Sequence, residues 1–272
     1  MTLSPGHDTI VREALLGLQF RDAVDGRVVA EGLQVEIEDL WQPRRRQALM
    51  ANRSGVFALH RFAGQRGFGD DDIDSPQVAN RFRVTARDTL GRYVATSVSP
   101  PVSGDGLFAP RAAGSPPGLA RHVPLFSAAT RPVPVAMASL RAELRECGHD
   151  DRPVRWARLE LWLGSERLAE GLADDAGRVM LVFPLPRPRA PVLRASPAAA
   201  GTYFDWSVTL RAFSQAGLPT DPIPDLEDLF AQPEVGLLQG ASPPVPLAPL
   251  TLHAGETLIA ASPPSSFLYV AE

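Results

Sequence analysis

Residues 18–37 read Leu-Gln-Phe-Arg-Asp-Ala-Val-Asp-Gly-Arg-Val-Val-Ala-Glu-Gly-Leu-Gln-Val-Glu-Ile, and this stretch decides the fold. Apolar and polar side chains alternate over residues 18–21 and again over residues 33–38, as in strands with one buried face. Between the two runs lies the acidic turn Asp25-Gly26-Arg27. Gly accepts a positive φ and Asp hydrogen-bonds its own turn backbone, so the stretch predicts a β-hairpin.

The same turn chemistry occurs twice more, at Asp88-Thr89-Leu90-Gly91-Arg92 and at Asp174-Asp175-Ala176-Gly177-Arg178. Each copy lies between alternating runs and therefore also predicts a hairpin corner. Repetition of a scaffold element indicates architecture and says nothing about chemistry. From the residues alone the chain is an all-β, multi-module binding or structural protein.

A change in composition divides the chain. Residues 99–134 are rich in Pro, Gly, Ala and Ser, which favours an extended connector because proline cannot donate to a strand ladder. We therefore predict an N-terminal β-sandwich over residues 1–100, an ordered linker over 101–134, and a C-terminal β-sandwich with long Pro-rich loops over 135–272. The predicted fold class is tandem antiparallel β-sandwiches, Ig-like or transthyretin-like, with one short helix.

Three segments of the second module carry more specific expectations. Met137–Glu146 contains good helix formers, but we favour a strand over a helix. Residues 225–231 follow Pro224 and predict the short helix. The run Ser266 to Val270 is apolar on both faces, so it either closes its own sheet or adds a strand to a neighbouring protein.

Composition excludes several partner classes. The net charge of −4 over 272 residues gives no electrostatic footprint for nucleic acid. All 27 basic residues are Arg, and the single Cys147 excludes an internal disulfide. The N-terminus has no signal-peptide pattern and no apolar run reaches the length of a membrane span. We expect cytoplasmic synthesis and assembly, with no nucleic acid and no membrane insertion.

No common catalytic motif is present, and the five histidines are scattered, so we expect no enzyme and no cofactor. The segment Cys147-Gly148-His149-Asp150-Asp151 gathers a thiol, an imidazole and carboxylates, but its composition favours an exposed loop. Asp70 to Asp74 has four carboxylates in five residues, the oxygen ligands that Ca²⁺ takes. The spacing is not that of an EF-hand, so a solvated acidic loop is favoured and no metal site is assigned.

The candidate functional residues are aromatic, apolar and arginine side chains suited to protein interfaces. Trp162 lies on the polar side of an alternating strand that also carries Arg158. Further interface candidates are apolar residues of the connector and the C-terminal run: Leu107, Phe108, Leu125, Phe126, Phe267 and Tyr269. Exposed tryptophans also serve as sugar platforms, so Trp41, Trp156, Trp162 and Trp206 leave open a carbohydrate-binding or adhesive surface.

The first predicted hairpin, over residues 22–37, resembles the opening of carboxypeptidase-regulatory-like and transthyretin-like β-sandwiches. The proline that usually precedes the second strand is missing here. The resemblance covers about the first hundred residues and implies a non-catalytic accessory domain.

A longer resemblance covers residues 10–185. It is carried by the proline segments Pro100-Pro101-Val102 and Thr130-Arg131-Pro132-Val133-Pro134, and by the following motifs: Gly106-Leu107-Phe108, Val123-Pro124-Leu125-Phe126-Ser127, Trp156-Ala157, Gly171-Leu172-Ala173-Asp174, Gly177-Arg178-Val179 and Phe183-Pro184. These are similar to a family of β-rich proteins encoded beside phage-tail-like contractile injection systems in bacteria. The resemblance implies a non-enzymatic structural subunit at the cap or baseplate, in contact with tube, sheath, cap or baseplate proteins, and released from the cell as part of the particle.

Overall fold

A computed structural model describes residues 16–40, 45–60, 82–100, 121–187, 205–240 and 243–271. Over these residues the chain is all-β and sandwich-like, with one short helix, as the alternating pattern predicts.

Two sheets are built from the N-terminal strands. One has the order β4-β1-β7 and the other the order β3-β2-β5-β6. The strands are Leu16–Asp22 (β1), Leu33–Asp39 (β2), Arg46–Leu49 (β3), Val56–Leu59 (β4), Phe82–Asp88 (β5), Thr96–Val98 (β6) and Arg121–Leu125 (β7).

Two larger sheets follow. In one, β11, β10 and β13 are successive neighbours and β13 also pairs with β14 and β17; in the other, β8 pairs with β12, β9, β18 and β19, and β15 joins β19 to β16. The elements are Met137–Glu146 (β8), His149–Pro153 (β9), Arg158–Leu163 (β10), Glu166–Leu172 (β11), Arg178–Pro184 (β12), Asp205–Phe213 (β13), Leu226–Phe230 (α1), Glu234–Val235 (β14), Leu237–Gln239 (β15), Val245–Pro246 (β16), Leu250–His253 (β17), Thr257–Ala260 (β18) and Leu268–Val270 (β19).

The chain divides into two compact units. The first comprises residues 1–20, 35–84 and 99–123, and the second comprises residues 21–34, 85–98 and 124–272. Segments 21–34 and 85–98 thus group with the C-terminal part of the chain. The boundaries expected from composition, at 1–100, 101–134 and 135–272, stay a prediction, since most of the connector lies outside the described residues.

Each unit has its own apolar core. In the first unit, inward positions of facing strands are fully buried, and the rings of Phe20 and Phe57 meet edge to face at 5.4 Å. In the second unit, both large sheets contribute to one cluster, with Leu140 and Leu181 from one sheet and Leu159 and Val208 from the other. Burial of these side chains is the main stabilising term of each unit.

The three repeated turns form as expected, with positive φ at Gly26, Gly91 and Gly177. The hairpin prediction is confirmed only in part. β5 and β6 on either side of the second turn are neighbours in one sheet, but the strands on either side of the first and third turns belong to different sheets. The reason is physical: Asp and Gly specify a local reversal, while the inward alternation is equally satisfied by crossing to the opposite sheet.

The segment-level expectations in the second module are confirmed. Met137–Glu146 is strand β8, and Asp225 caps helix α1 by accepting a hydrogen bond from the backbone N–H of Glu227 at 2.9 Å. The C-terminal run forms β19 and closes its own sheet between β8 and β15. One departure is that β18 and β19 run parallel to β8, although antiparallel pairing was expected throughout.

A buried ion pair lies within the second unit. The Arg131 guanidinium donates from Nη1 and Nη2 to both carboxylate oxygens of Asp22, at 3.0 and 2.5 Å, and Nη1 also donates to Ser127 Oγ. The Tyr93 hydroxyl donates to Asp22 Oδ2 at 2.9 Å. We call Asp22, Tyr93, Ser127 and Arg131 the buried lock. It joins the first turn, the segment after the second turn and the end of the connector.

Candidate interface on the sheet of β10, β11 and β13

The outer face of β10, β11 and β13 brings charged and aromatic side chains together. In the strand register Glu160 lies opposite Glu170 on one side and Arg211 on the other, while Trp162 lies opposite Arg167 and Thr209. Cross-strand neighbours on one face are close enough to interact directly. We call the surface formed by Arg158, Glu160, Trp162, Arg167, Glu170 and Arg211 the charged face.

Glu160 is the centre of the charged face. Its Oε1 accepts hydrogen bonds from Arg158 Nη1 at 2.8 Å and from Arg167 Nη1 at 3.0 Å, and its Oε2 accepts one from Trp162 Nε1 at 3.0 Å. Only 7% of its side chain is exposed. Burial alone raises a carboxyl pKa, but here the hydrogen bonds from Trp162 and Arg167 and the two arginine charges hold the pKa of Glu160 below its ordinary value.

The two arginines on this side of the sheet also neutralise the second carboxylate. Arg158 Nη1 donates to Glu170 Oε1 at 2.9 Å, and Arg167 Nη1 lies 3.5 Å from Glu170 Oε2. Glu160 and Glu170 are directly opposite each other, an arrangement that is unfavourable for like charges without such bridges. The result is a closed network of two cations and two anions that fixes the side chains of both strands.

Arg158 is the most buried of the three arginines of the charged face. Its side chain is 12% exposed, and its guanidinium carbon lies 3.8 Å from the ring centre of Phe213 and 5.8 Å from that of Phe230. Such cation–π contacts strengthen when the cation is shielded from water. Arg158, a sequence-predicted interface residue, is therefore largely covered by Phe213 and Phe230 and serves to hold the two carboxylates of the charged face.

Trp162 is the half-exposed aromatic side chain of the charged face. Its indole N–H is held by Glu160, and the Arg211 guanidinium carbon lies 4.7 Å from its ring centre. The ring is therefore fixed at one edge and covered on one face before any partner arrives. A side chain fixed in advance loses less conformational entropy on binding, which favours recognition.

The other sequence-predicted interface residues are placed differently. Leu125 and Phe126 are buried in the chain, and Phe126 contacts Phe230 edge to face at 6.1 Å. Tyr269 is buried and donates to Asp150 Oδ1 at 3.0 Å, while the half-buried Phe267 packs on its ring. Leu107 and Phe108 lie outside the described residues.

The four tryptophans do not share one environment. Trp156 and Trp206 are buried, and the Trp156 indole N–H donates to the Pro219 carbonyl at 2.9 Å. Trp41 lies outside the described ranges. Trp162 is thus the half-exposed indole among the three that the structure describes, so a sugar platform on the described surface would depend on this one ring.

Two segments were candidates for site chemistry, Cys147 to Asp151 for its thiol and Asp70 to Asp74 for Ca²⁺. Within the part of the chain that the structure describes, no group of three or more His, Cys, Asp or Glu side chains is arranged to hold a metal ion. Cys147 and Gly148 form the turn between β8 and β9, and His149 to Asp151 begin strand β9 with exposed side chains. The Asp70 to Asp74 loop lies outside the described residues.

Sequence reasoning found Trp162 and Arg158 but missed Arg211. The signal was present in part, because Arg211 stands at a polar position of the alternating run that becomes β13. What the sequence does not contain is the register that places Arg211 opposite Glu160 and its guanidinium beside Trp162, since that pairing joins strands far apart along the chain.

Comparisons with known proteins give little further support. No protein-family model matches the chain, and no curated protein matches it. Among solved structures, the Bacillus anthracis TIE protein overlays with a TM-score of 0.24 at 9% identity, over 95% of this chain and 34% of that one. The chain thus spans about a third of that protein's length, and a similarity this low carries no argument. Of the helices in the described ranges, none has the length and hydropathy to cross a bilayer.

Proposed function

We propose that this protein is a non-enzymatic assembly subunit of a contractile, phage-tail-like injection particle, and that it holds a neighbouring subunit through the charged face. The particle assignment follows from the resemblance in residues 10–185. The contact surface follows from the prepositioned Trp162, the single observation that carries this proposal. Synthesis and assembly in the cytoplasm, followed by release with the particle, belong to the same proposal.

The composition of the charged face supports a protein partner. Trp and Arg are enriched at the energetic centres of protein interfaces, where they lie among contacts that exclude water. Here a half-exposed Trp162 lies beside the exposed Arg211 and is fixed through Glu160. A sheet face whose central side chains are already held in place suits a subunit that lies between other subunits.

The direct test is to purify particles from producing cells with and without this gene. The composition is measured by mass spectrometry and the particles are imaged by electron microscopy. We expect the protein to be a stoichiometric component, and its loss to give unfinished or mis-sized particles. Normal particles in the deletion strain would refute the proposed function.

A second arm assigns the contact to the charged face. We expect Trp162→Ala to abolish incorporation into particles while the isolated protein stays folded, with the circular dichroism of the wild type and a thermal midpoint lowered only by the loss of the donor to Glu160. Trp162→Phe keeps a flat ring and is expected to restore part of the incorporation. The control is Val135→Ser, because Val135 is 99% exposed and lies outside the charged face.

The same variants separate the runner-up function, a carbohydrate-binding or adhesive surface. If particles are normal without the protein, glycan-array binding by wild-type protein and by Trp162→Ala becomes the deciding measurement. Glycan binding that disappears with Trp162 would then assign the face to sugar recognition.

A further inference from the structure

The charged face carries one more cation than anion. Arg158 and Arg167 are both paired with Glu160 and Glu170, so these four charges compensate one another. Arg211 lies opposite Glu160 in the register, but its guanidinium stacks on Trp162. Among the described residues no carboxylate lies within ion-pairing distance of Arg211, and its side chain is exposed.

The reason is local competition for one carboxylate. Both oxygens of Glu160 already accept hydrogen bonds, from Arg158, Arg167 and the Trp162 indole. A third arginine gains little from a carboxylate that two others neutralise, and stacking on an indole is the alternative available to a weakly hydrated guanidinium. Arg211 is thereby held beside the Trp162 ring with its side chain exposed.

We propose that the charged face binds an acidic segment of a partner protein, with a partner carboxylate on the Arg211 guanidinium and an adjacent apolar side chain against Trp162. This inference rests on the proposed role of the face as a subunit contact and adds the chemistry of the partner. The uncompensated cation selects an anion, and the planar fork of arginine donors suits a carboxylate in a bidentate contact.

The neighbouring side chains leave room for this contact. Thr209 is exposed and lies opposite Trp162, so it borders the same ring without adding charge. Further along β13, Asp205 pairs with His253 at 2.8 Å, so that carboxylate is engaged elsewhere. Positive charge at the rim of the contact accelerates encounter with an acidic partner and rejects a basic one.

Site-specific photo-crosslinking in producing cells tests the inference. The photoreactive residue p-benzoylphenylalanine replaces Thr209 in the full chain, and the crosslinked segment is sequenced by mass spectrometry. Replacement of the fully exposed Val135 gives the background. We expect a segment with Asp or Glu within a few residues of the crosslink.

Charge reversal makes the test specific. Arg211→Glu is expected to reduce the Thr209 crosslink by about tenfold, the effect of a contact worth about 1.4 kcal/mol. An Asp or Glu→Arg change in the partner segment is expected to restore it in the Arg211→Glu background. Arg141→Glu is the matched control, because Arg141 is an exposed arginine on β8, in the other large sheet.

Three results would overturn the inference: a crosslinked segment without acidic residues, an unchanged yield in Arg211→Glu, or no crosslink at Thr209 above the Val135 background. Failure of the proposed function looks different. If the acidic segment belongs to a protein that is absent from purified particles, the particle role fails and the acidic partner stands. If the protein is a particle component and the segment is not acidic, only this inference fails.

Discussion

The buried lock and the charged face are both built from arginine and carboxylate, but they are completed to different degrees. In the buried lock, Arg131 and Asp22 side chains are 10% and 5% exposed, and every oxygen of Asp22 accepts a hydrogen bond from within the chain. On the charged face, Arg211 has no carboxylate among the described residues. The first cluster is complete within the chain, and the second is the one that we propose a partner completes.

The largest expected effect is in the buried lock. Arg131→Met leaves the Asp22 carboxylate buried without its counter-ion, which we expect to lower the free energy of unfolding by about 3–5 kcal/mol. Urea denaturation measures this. Arg27→Met is the control, because Arg27 is exposed and its ion pair is with Asp25, two residues away. A loss below about 1 kcal/mol would mean that the buried lock stabilises the fold no more than a surface ion pair does.

Removing one donor from the buried lock gives the next largest effect. Tyr93→Phe deletes the hydroxyl that donates to Asp22 Oδ2, and we expect a loss of about 1–3 kcal/mol. A titration gives a second readout, since burial and the Asp22 charge raise the pKa of Tyr93 to about 12. Tyr93 should therefore ionise only in strongly alkaline solution, as followed by phenolate absorbance. Ionisation of Tyr93 near pH 10 would contradict the geometry.

On the charged face, Glu160→Gln is expected to cost about 1–2 kcal/mol, less than the loss of Arg131. The amide oxygen still accepts from Trp162, but the charge that pairs with Arg158 and Arg167 is gone. Thermal unfolding compared with Glu166→Gln, an exposed residue of β11, measures the difference. Equal midpoints for the two variants would show that the charge of Glu160 does not stabilise the network.

Lowering the pH tests both regions, because each contains a carboxyl group with a lowered pKa. The pKa values of Asp22 and Glu160 are both below the ordinary 3.8 and 4.5, so each group adds stability that is present above its ordinary pKa and lost as pH falls through its lowered one. We expect the wild type to lose stability below about pH 4. The Asp22→Asn/Arg131→Met double variant should lose less over the same range, as followed by circular dichroism. An identical pH slope would show that the buried lock does not contribute.

The smallest effect on stability is expected for Arg211→Gln, within about 0.5 kcal/mol of the wild type, since the side chain is exposed and a neutral residue adds no like charge opposite Glu160. Charge reversal at the same position is the change expected to remove the partner contact. A midpoint shift comparable to that of Glu160→Gln would mean that Arg211 serves the fold, and the contrast between the two regions would disappear.

The sequence predicts strands, turns and exposed positions well because these depend on neighbours along the chain. The alternation that includes Trp206 and Val208 fixes which face of β13 is buried, and Asp with Gly fixes each turn. Sheet membership depends on pairing between distant strands, which explains why two predicted hairpins cross between sheets instead. For the same reason Trp162 could be predicted as exposed, but the Arg211 stack and the Asp22–Arg131 pair could not.

The parallel pairing of β18 and β19 with β8 has a consequence for biosynthesis. Tyr269 on β19 reaches back to Asp150, 119 positions earlier in the chain. A ribosome adds about 5–20 residues per second, so on the order of ten seconds pass between the synthesis of β8 and that of its neighbours β18 and β19. During that interval this edge of β8 lacks its neighbours β18 and β19, and an unpaired strand edge favours edge-to-edge aggregation until translation passes Val270.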